Sequence, residues 1–149
     1  QFVIKKPGFS VGVLSVLDSL AFDFIPLPDM SLIAEEQAIR REVRNLKGRV
    51  DFILLLCHGS YRRAAQLGKL FPEISIIIAG HTQERFEKIR NRQVIVQAGY
   101  EGEYVGFLTI HRHGGQLAFK NHFIPVDSHF TDYIPFKQKL DLLQMKHAP

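Results

Sequence analysis

Two short apolar runs, each closing on a histidine beside a glycine, constrain this chain most. The first is Val50-Asp51-Phe52-Ile53-Leu54-Leu55-Leu56-Cys57-His58-Gly59, and the second is Ile74-Ser75-Ile76-Ile77-Ile78-Ala79-Gly80-His81-Thr82-Gln83. Continuous apolar runs of this length suit strands covered on both faces. Residues 60–70 between them read as a short helix with Ala64, Leu67 and Leu70 on one side. Strand–helix–strand order implies parallel neighbours with right-handed crossovers. In open α/β sheets ligands sit outside the carboxyl ends of the strands. His58 and His81 are therefore expected to face one crevice, and a metal-binding edge is the leading reading.

The rest of the chain extends this pattern on both sides. Phe2 to Lys6 reads as a strand, Pro7-Gly8 as a turn and Val11 to Leu17 as a second strand. The proline-bearing stretch Ala21 to Pro28 reads as a loop packed on the body. Asp29 or Ser31 can cap a helix running to about Lys47, with Ile39, Val43 and Leu46 at i, i+4 and i+7 and Gly48 as its stop. Beyond Gln83 the character changes. Glu84 to Arg90, Gln93 to Ala98, Tyr104 to His111 and Gln116 to Pro125 read as antiparallel strands, with turns at Asn91-Arg92 and Gly114-Gly115. A helix from Asp132 onward carries Phe136, Leu140 and Leu143. The expected fold is α/β, a mixed sheet with parallel β-α-β units followed by antiparallel strands, within a single domain over residues 1–149.

Composition excludes several classes. At 149 residues and 46% apolar content the chain can bury a sizeable core and is not disordered. No apolar run approaches ~20 residues, so no membrane span is expected. The first residues lack the layout of a signal peptide. The single cysteine excludes an internal disulfide and fits no zinc-knuckle spacing. A net charge of +4 with no dense basic run does not argue for nucleic acid.

The run Phe71 to Gln83, followed by Gln97, Gly99, Gly102 and Gly106, resembles the calcineurin-like metallophosphoesterases, and within them the 5′-nucleotidase branch. That branch follows a Gly-His-x-His/Gln/Asn motif with a hairpin and a Gln-x-Gly-x-x-Gly-x-x-x-Gly strand. Leu56-Cys57-His58-Gly59 is similar to the family's Leu-Ser-His-x-Gly segment, with Cys57 where Ser is usual and one residue fewer before the glycine. Phe2 to Lys6 and Val11 to Val16 resemble the two strands that follow the family's Gly-Asn-His block. The likeness spans nearly the whole chain and covers the carboxyl-terminal half of the family's catalytic domain, half of a metallophosphatase sandwich.

The resemblance implies a two-metal phosphohydrolase acting on phosphorylated small molecules, nucleotide monoesters among them. It implies that His58 and His81 bind the second metal and that the Gln83 carboxamide binds the first. The ions would be zinc or manganese, with iron also compatible. It implies frequent periplasmic or secreted location. The family's Asp-x-His, Gly-Asp and Gly-Asn-His-Asp/Glu blocks are missing, and only Asp18 and Glu101 offer carboxylates near the strand ends. Stable sites use three or four protein ligands, so this chain is expected to hold half a site, inactive without the missing amino-terminal half. No catalytic residue is assigned.

Each residue also has a plainer reading. His58 and His81 could cap strand ends, Gln83 could be a turn residue, and Cys57 reads as a small buried side chain. Arg62 and Arg63 could hold a phosphate bidentately or line a solvated helical turn. Tyr100 could wall the site or pack. His111 and His113 share a strand face but fit a solvated hairpin end. Three functions stay open: an enzyme half, a non-catalytic metallophosphatase-like module that binds a partner chain or itself, and a polyanion binder resting only on a pI near 9.3. The first two predict an exposed apolar face around Phe2 to Lys6 and Val11 to Leu17.

Overall fold

The computed structural model describes residues 1–18, 31, 33–90, 92–131 and 133–139. Chain order runs β1 (Phe2–Lys6), β2 (Phe9–Leu17), α1 (Glu35–Leu46), β3 (Phe52–His58), α2 (Tyr61–Leu70), β4 (Ile74–Ala79), β5 (Arg85–Arg90), β6 (Gln93–Ala98), β7 (Tyr104–His113) and β8 (Gln116–Pro125). A six-stranded mixed sheet has the order β1-β2-β3-β4-β6-β5. Strands β2, β3, β4 and β6 are parallel, and β1 and β5 are antiparallel edges. The β2-α1-β3-α2-β4 order therefore gives the parallel centre expected of two β-α-β units. The last four strands do not form one antiparallel group. β6 pairs antiparallel with β5 but parallel with β4, and β7–β8 form a separate two-stranded sheet.

Both faces of the large sheet are covered, but unequally. On one face Leu14, Ile53, Leu55, Cys57, Ile77 and Ile95 pack under α1 and α2. On the other, Val11, Val13, Phe52, Ile76, Val94 and Val96 meet Leu108, Ile110, Leu117 and Phe119 of β7–β8. That double burial explains the continuous apolar runs. The β7–β8 cover stops short of the carboxyl ends of the strands, where Leu17, Leu56 and Ile78 are 40–41% exposed.

Helix α1 buries Ile39, Val43 and Leu46, as its spacing requires. It starts at Glu35 with Ala34 at the cap and no capping side chain. Ser31 lies outside the helix, and Asp29 lies outside the described residues. Glu35 and Glu36 in the first turn supply the negative charge that a helix amino terminus favours. Gly48, at φ +74°, follows the helix in the left-handed region. Helix α2 is capped by Ser60, whose hydroxyl accepts from the Arg63 amide at 3.1 Å. It buries Ala64, Leu67 and Gly68, while Leu70 is 49% exposed. The inner face is thus rotated from the expected Ala64–Leu67–Leu70 stripe. Gly68 lets the helix close on Gln93, whose amide donates to the Gly68 carbonyl at 3.2 Å and the Ile74 carbonyl at 2.8 Å.

The expected Ala21–Pro28 loop, Leu140 and Leu143 lie outside the described residues. Residues 134–139 are helical, with Phe136 exposed. No described helix is long and apolar enough to cross a membrane.

Candidate metal-binding edge

The carboxyl ends of β2, β3 and β4 lie side by side, and each candidate ligand follows from that. Alternation along β3 sends Cys57 under the helices and His58 to the opposite, open face. His81 comes immediately after β4. Two backbone bonds knit the ends together: the Asp18 amide donates to the His58 carbonyl at 2.9 Å, and the Gly80 amide donates to the Cys57 carbonyl at 3.0 Å. The Ser60 hydroxyl caps the helix that follows His58 and Gly59.

These constraints bring the two imidazoles together. The His58 and His81 ring centres are 5.0 Å apart with planes at 68°, and both residues are exposed. Two imidazoles sharing one ion at metal–nitrogen distances of about 2.0–2.1 Å have ring centres roughly 4.5–5.2 Å apart, for angles between octahedral and tetrahedral. The observed 5.0 Å separation falls inside that range. Among the described residues, no group of three or more His, Cys, Asp or Glu side chains gathers to complete a site.

The remaining candidates fall around this pair in different ways. Gln83 is exposed, two residues beyond His81. Asp18 lies against the His58 loop, because a Cβ added to Gly59 would stand 3.4 Å from its Oδ2. That close approach is one reason position 59 carries no side chain. Glu101 occupies a turn at φ +49°, and Tyr100 beside it is 40% exposed. Arg62 is exposed. Arg63 is engaged between the helices, its Nε donating to Glu35 Oε2 at 2.7 Å with Glu36 at 3.4 Å. His111 and His113 are exposed at the β7–β8 hairpin end. Burial, then the carboxylates of Glu35 and Asp18, push the Cys57 thiol up to about 11, so it stays protonated at neutral pH.

Beside the histidines is a shallow hollow of ≈ 290 Å³ lined by Ser15, Leu56, His58, Ile78 and Gly80 among others. A separate apolar cavity of ≈ 170 Å³ lies at the opposite end of the strands, between Phe9, Phe52, Ile110 and Leu117. No candidate ligand borders it. Its rim is the Asp51–Arg112 ion pair. Hydrogen bonds from the Ser10 hydroxyl and amide, then from Arg112, hold the Asp51 carboxyl below the usual aspartate range.

Thr82 and Gln97 went unread as a pair in the sequence. Among the described residues Gln97 is the one buried polar side chain, 2% exposed, and it bonds Thr82. A glutamine closing the apolar run Val94-Ile95-Val96 was the available clue.

No protein-family profile and no curated protein matches the chain. Solved structures do. A proposed 5′-nucleotidase from Staphylococcus aureus, solved with α-ketoglutarate, matches 96% of this chain at 19% identity and TM-score 0.72. The sulfate thiohydrolase SoxB of Thermus thermophilus, solved with glycerol, matches 98% at 16% identity and TM-score 0.86. A hypothetical protein, also from Thermus thermophilus, matches 83% at 12% identity and TM-score 0.60, over 61% of its own length. The chain spans 33% of the first structure and 28% of the second. At these identities the likeness shows the fold alone, a mixed α/β architecture shared with these structures.

Proposed function

We propose that this chain is the carboxyl-terminal half of a two-metal phosphohydrolase domain acting on nucleotide phosphate monoesters. The observation that carries this reading is the 5.0 Å approach of His58 and His81 at the carboxyl edge of the sheet. The same fold in a proposed 5′-nucleotidase and a thiohydrolase supports it. His58 and His81 would hold one ion, and by resemblance Gln83 would contribute to the other. Zinc or manganese suits these donors. Bound ions of this kind activate a water and stabilise charge on a phosphoryl group. Arg62 and Tyr100 are accessible for substrate contacts, whereas Arg63 would first have to leave Glu35.

Among the described residues no group of three or more His, Cys, Asp or Glu side chains gathers at this edge, so the isolated chain is expected to purify with far fewer than the two ions that a two-metal site needs. Its turnover of nucleotide monoesters should stay at background. Zinc titration followed by histidine ring NMR signals should shift His58 and His81 together. His58→Ala or His81→Ala should weaken the response of the remaining ring at least about tenfold. Rings that respond independently would sink the shared-ion reading. Two bound ions, or robust turnover by this chain alone, would overturn its incompleteness.

The exposed sheet face points to what completes the site. Leu56 pairs with Ile78 and Ser15 in one cross-strand row, and Leu17 pairs with His58 in the next. Phe2 and Ile4 of the edge strand lie on the same face, 58% and 39% exposed. The occupant we propose is the amino-terminal half of the same domain. Without it, the chain should self-associate in sedimentation experiments, and Leu56→Glu with Ile78→Glu should raise the dissociation constant at least about tenfold. A wild-type chain that stays monomeric at high concentration would refute this role for the face. The open face also favours the second reading, a non-catalytic assembly module. Association with no histidine-dependent zinc response would select it.

A further inference from the structure

We propose that Gln97 is a positioning residue for the candidate metal edge: through Thr82 it fixes the loop that presents His81 and Gln83. The inference rests on the metal-edge reading for its purpose, but the anchor itself is independent of metal. A buried, unpaired amide is destabilising, so a glutamine at 2% exposure in a largely apolar strand needs a partner. Its partner is the Thr82 hydroxyl. Gln97 Nε2 can donate to Thr82 Oγ1 at 3.3 Å, or Thr82 Oγ1 can donate to Gln97 Oε1 at 3.4 Å.

The placement of this bond matters. Gln97 pairs with Phe86 of β5, whose ring centre lies 4.8 Å from that of Tyr61 of α2 at a tilt of 31°. It therefore sits on the helix-covered side of the sheet. Thr82 lies between His81 and Gln83, so one bond constrains the backbone of both. On the other side of His81, the Gly80 amide donates to the Cys57 carbonyl at 3.0 Å. His81 is thus held between an anchor to β3 and an anchor to β6. Outer partners of this kind orient metal ligands, and rigid support narrows the geometry a site can sample.

The test uses the full chain labelled with ¹⁵N, carrying Gln97→Leu, Thr82→Val or Thr82→Ser. Thr82→Val keeps the shape and loses the hydroxyl, and Thr82→Ser keeps the hydroxyl. The expected result is that amide order parameters for residues 81–83 fall from about 0.85 to below about 0.6 in the Leu and Val variants. The Ser variant should stay at the wild-type value, and the Leu/Val double variant should be no looser than either single one. Unchanged order in both single variants would overturn the proposal, as would equal loosening in Thr82→Ser. A zinc titration of the same samples reads purpose separately. Weakening by about 10–100-fold in Leu and Val but not Ser is expected of a ligand-orienting partner. If the anchor behaves as expected while zinc moves neither histidine in the wild type, the metal reading fails and the positioning of the loop stands.

Discussion

Truncating Leu46 to alanine is expected to destabilise the chain by about 3–4 kcal/mol, the upper part of the range for buried leucines. Leu46 is fully buried at the end of α1 and packs on β2. The site cannot collapse easily, because the opposing residue is already a glycine. A Cβ added to Gly12 would stand 2.7 Å from Leu46 Cδ1 and 2.9 Å from Cδ2. Gly12→Ala alone should therefore cost about 1–3 kcal/mol through overpacking. In the Leu46→Ala background the same methyl enters the vacated space, so its cost should vanish or reverse. Urea unfolding of the four chains measures this coupling as shifts of midpoint at constant slope. Additive effects would show that the two residues do not share that space. The contact reaches the candidate site, since β2 continues from Gly12 to Leu17 and Asp18, whose amide holds the His58 carbonyl.

Much of this architecture was legible because it follows from patterns with short range. The runs Phe52 to Leu56 and Ile76 to Ala79 are apolar throughout, and the structure places both in the middle of a sheet with both faces packed. Ile39, Val43 and Leu46 recur at helical spacing and are the buried residues of α1. The misreadings came where tertiary contacts choose among local options. Leu70 fits the helical stripe as well as Gly68 does, but only a glycine lets α2 approach Gln93. Strands β7 and β8 alternate like those of any hairpin, and alternation does not say which sheet they join. For Arg63 a phosphate contact and a solvated turn both stayed open, because Glu35, 28 positions earlier, is not visibly its partner in one dimension. Thr82 and Gln97 were hidden for the same reason, with 15 positions between them.

Alkylation of Cys57 at pH 8 is expected to be at least about 100-fold slower in the folded chain than in the urea-unfolded chain. The thiol is 2% exposed, and its ordinary value of 9.0 rises to about 11. Burial is the largest cause, followed by the negative charges of Glu35 and Asp18, with Arg63 partly opposing them. At pH 8 the thiolate fraction is roughly one in ten when unfolded and one in a thousand when folded. Loss of access adds to that ratio. The same difference makes stability depend on pH. Below about 9 both states keep the proton and the contribution is fully present. From 9 towards 11 the unfolded chain releases the proton while the folded chain retains it, so stability falls as pH rises, by about 2–3 kcal/mol over that window. Cys57→Ala should remove this alkaline loss, leaving a flatter profile from a lower neutral starting point because a small void remains. Equal labelling rates in the folded and unfolded chains, or an unchanged alkaline slope in the alanine variant, would contradict this account. The expected result also separates the chemistry of neighbouring residues. His58 faces the open edge where an ion or substrate can reach it, whereas Cys57 faces the helices as a protonated side chain, and alternation along β3 assigns the two roles.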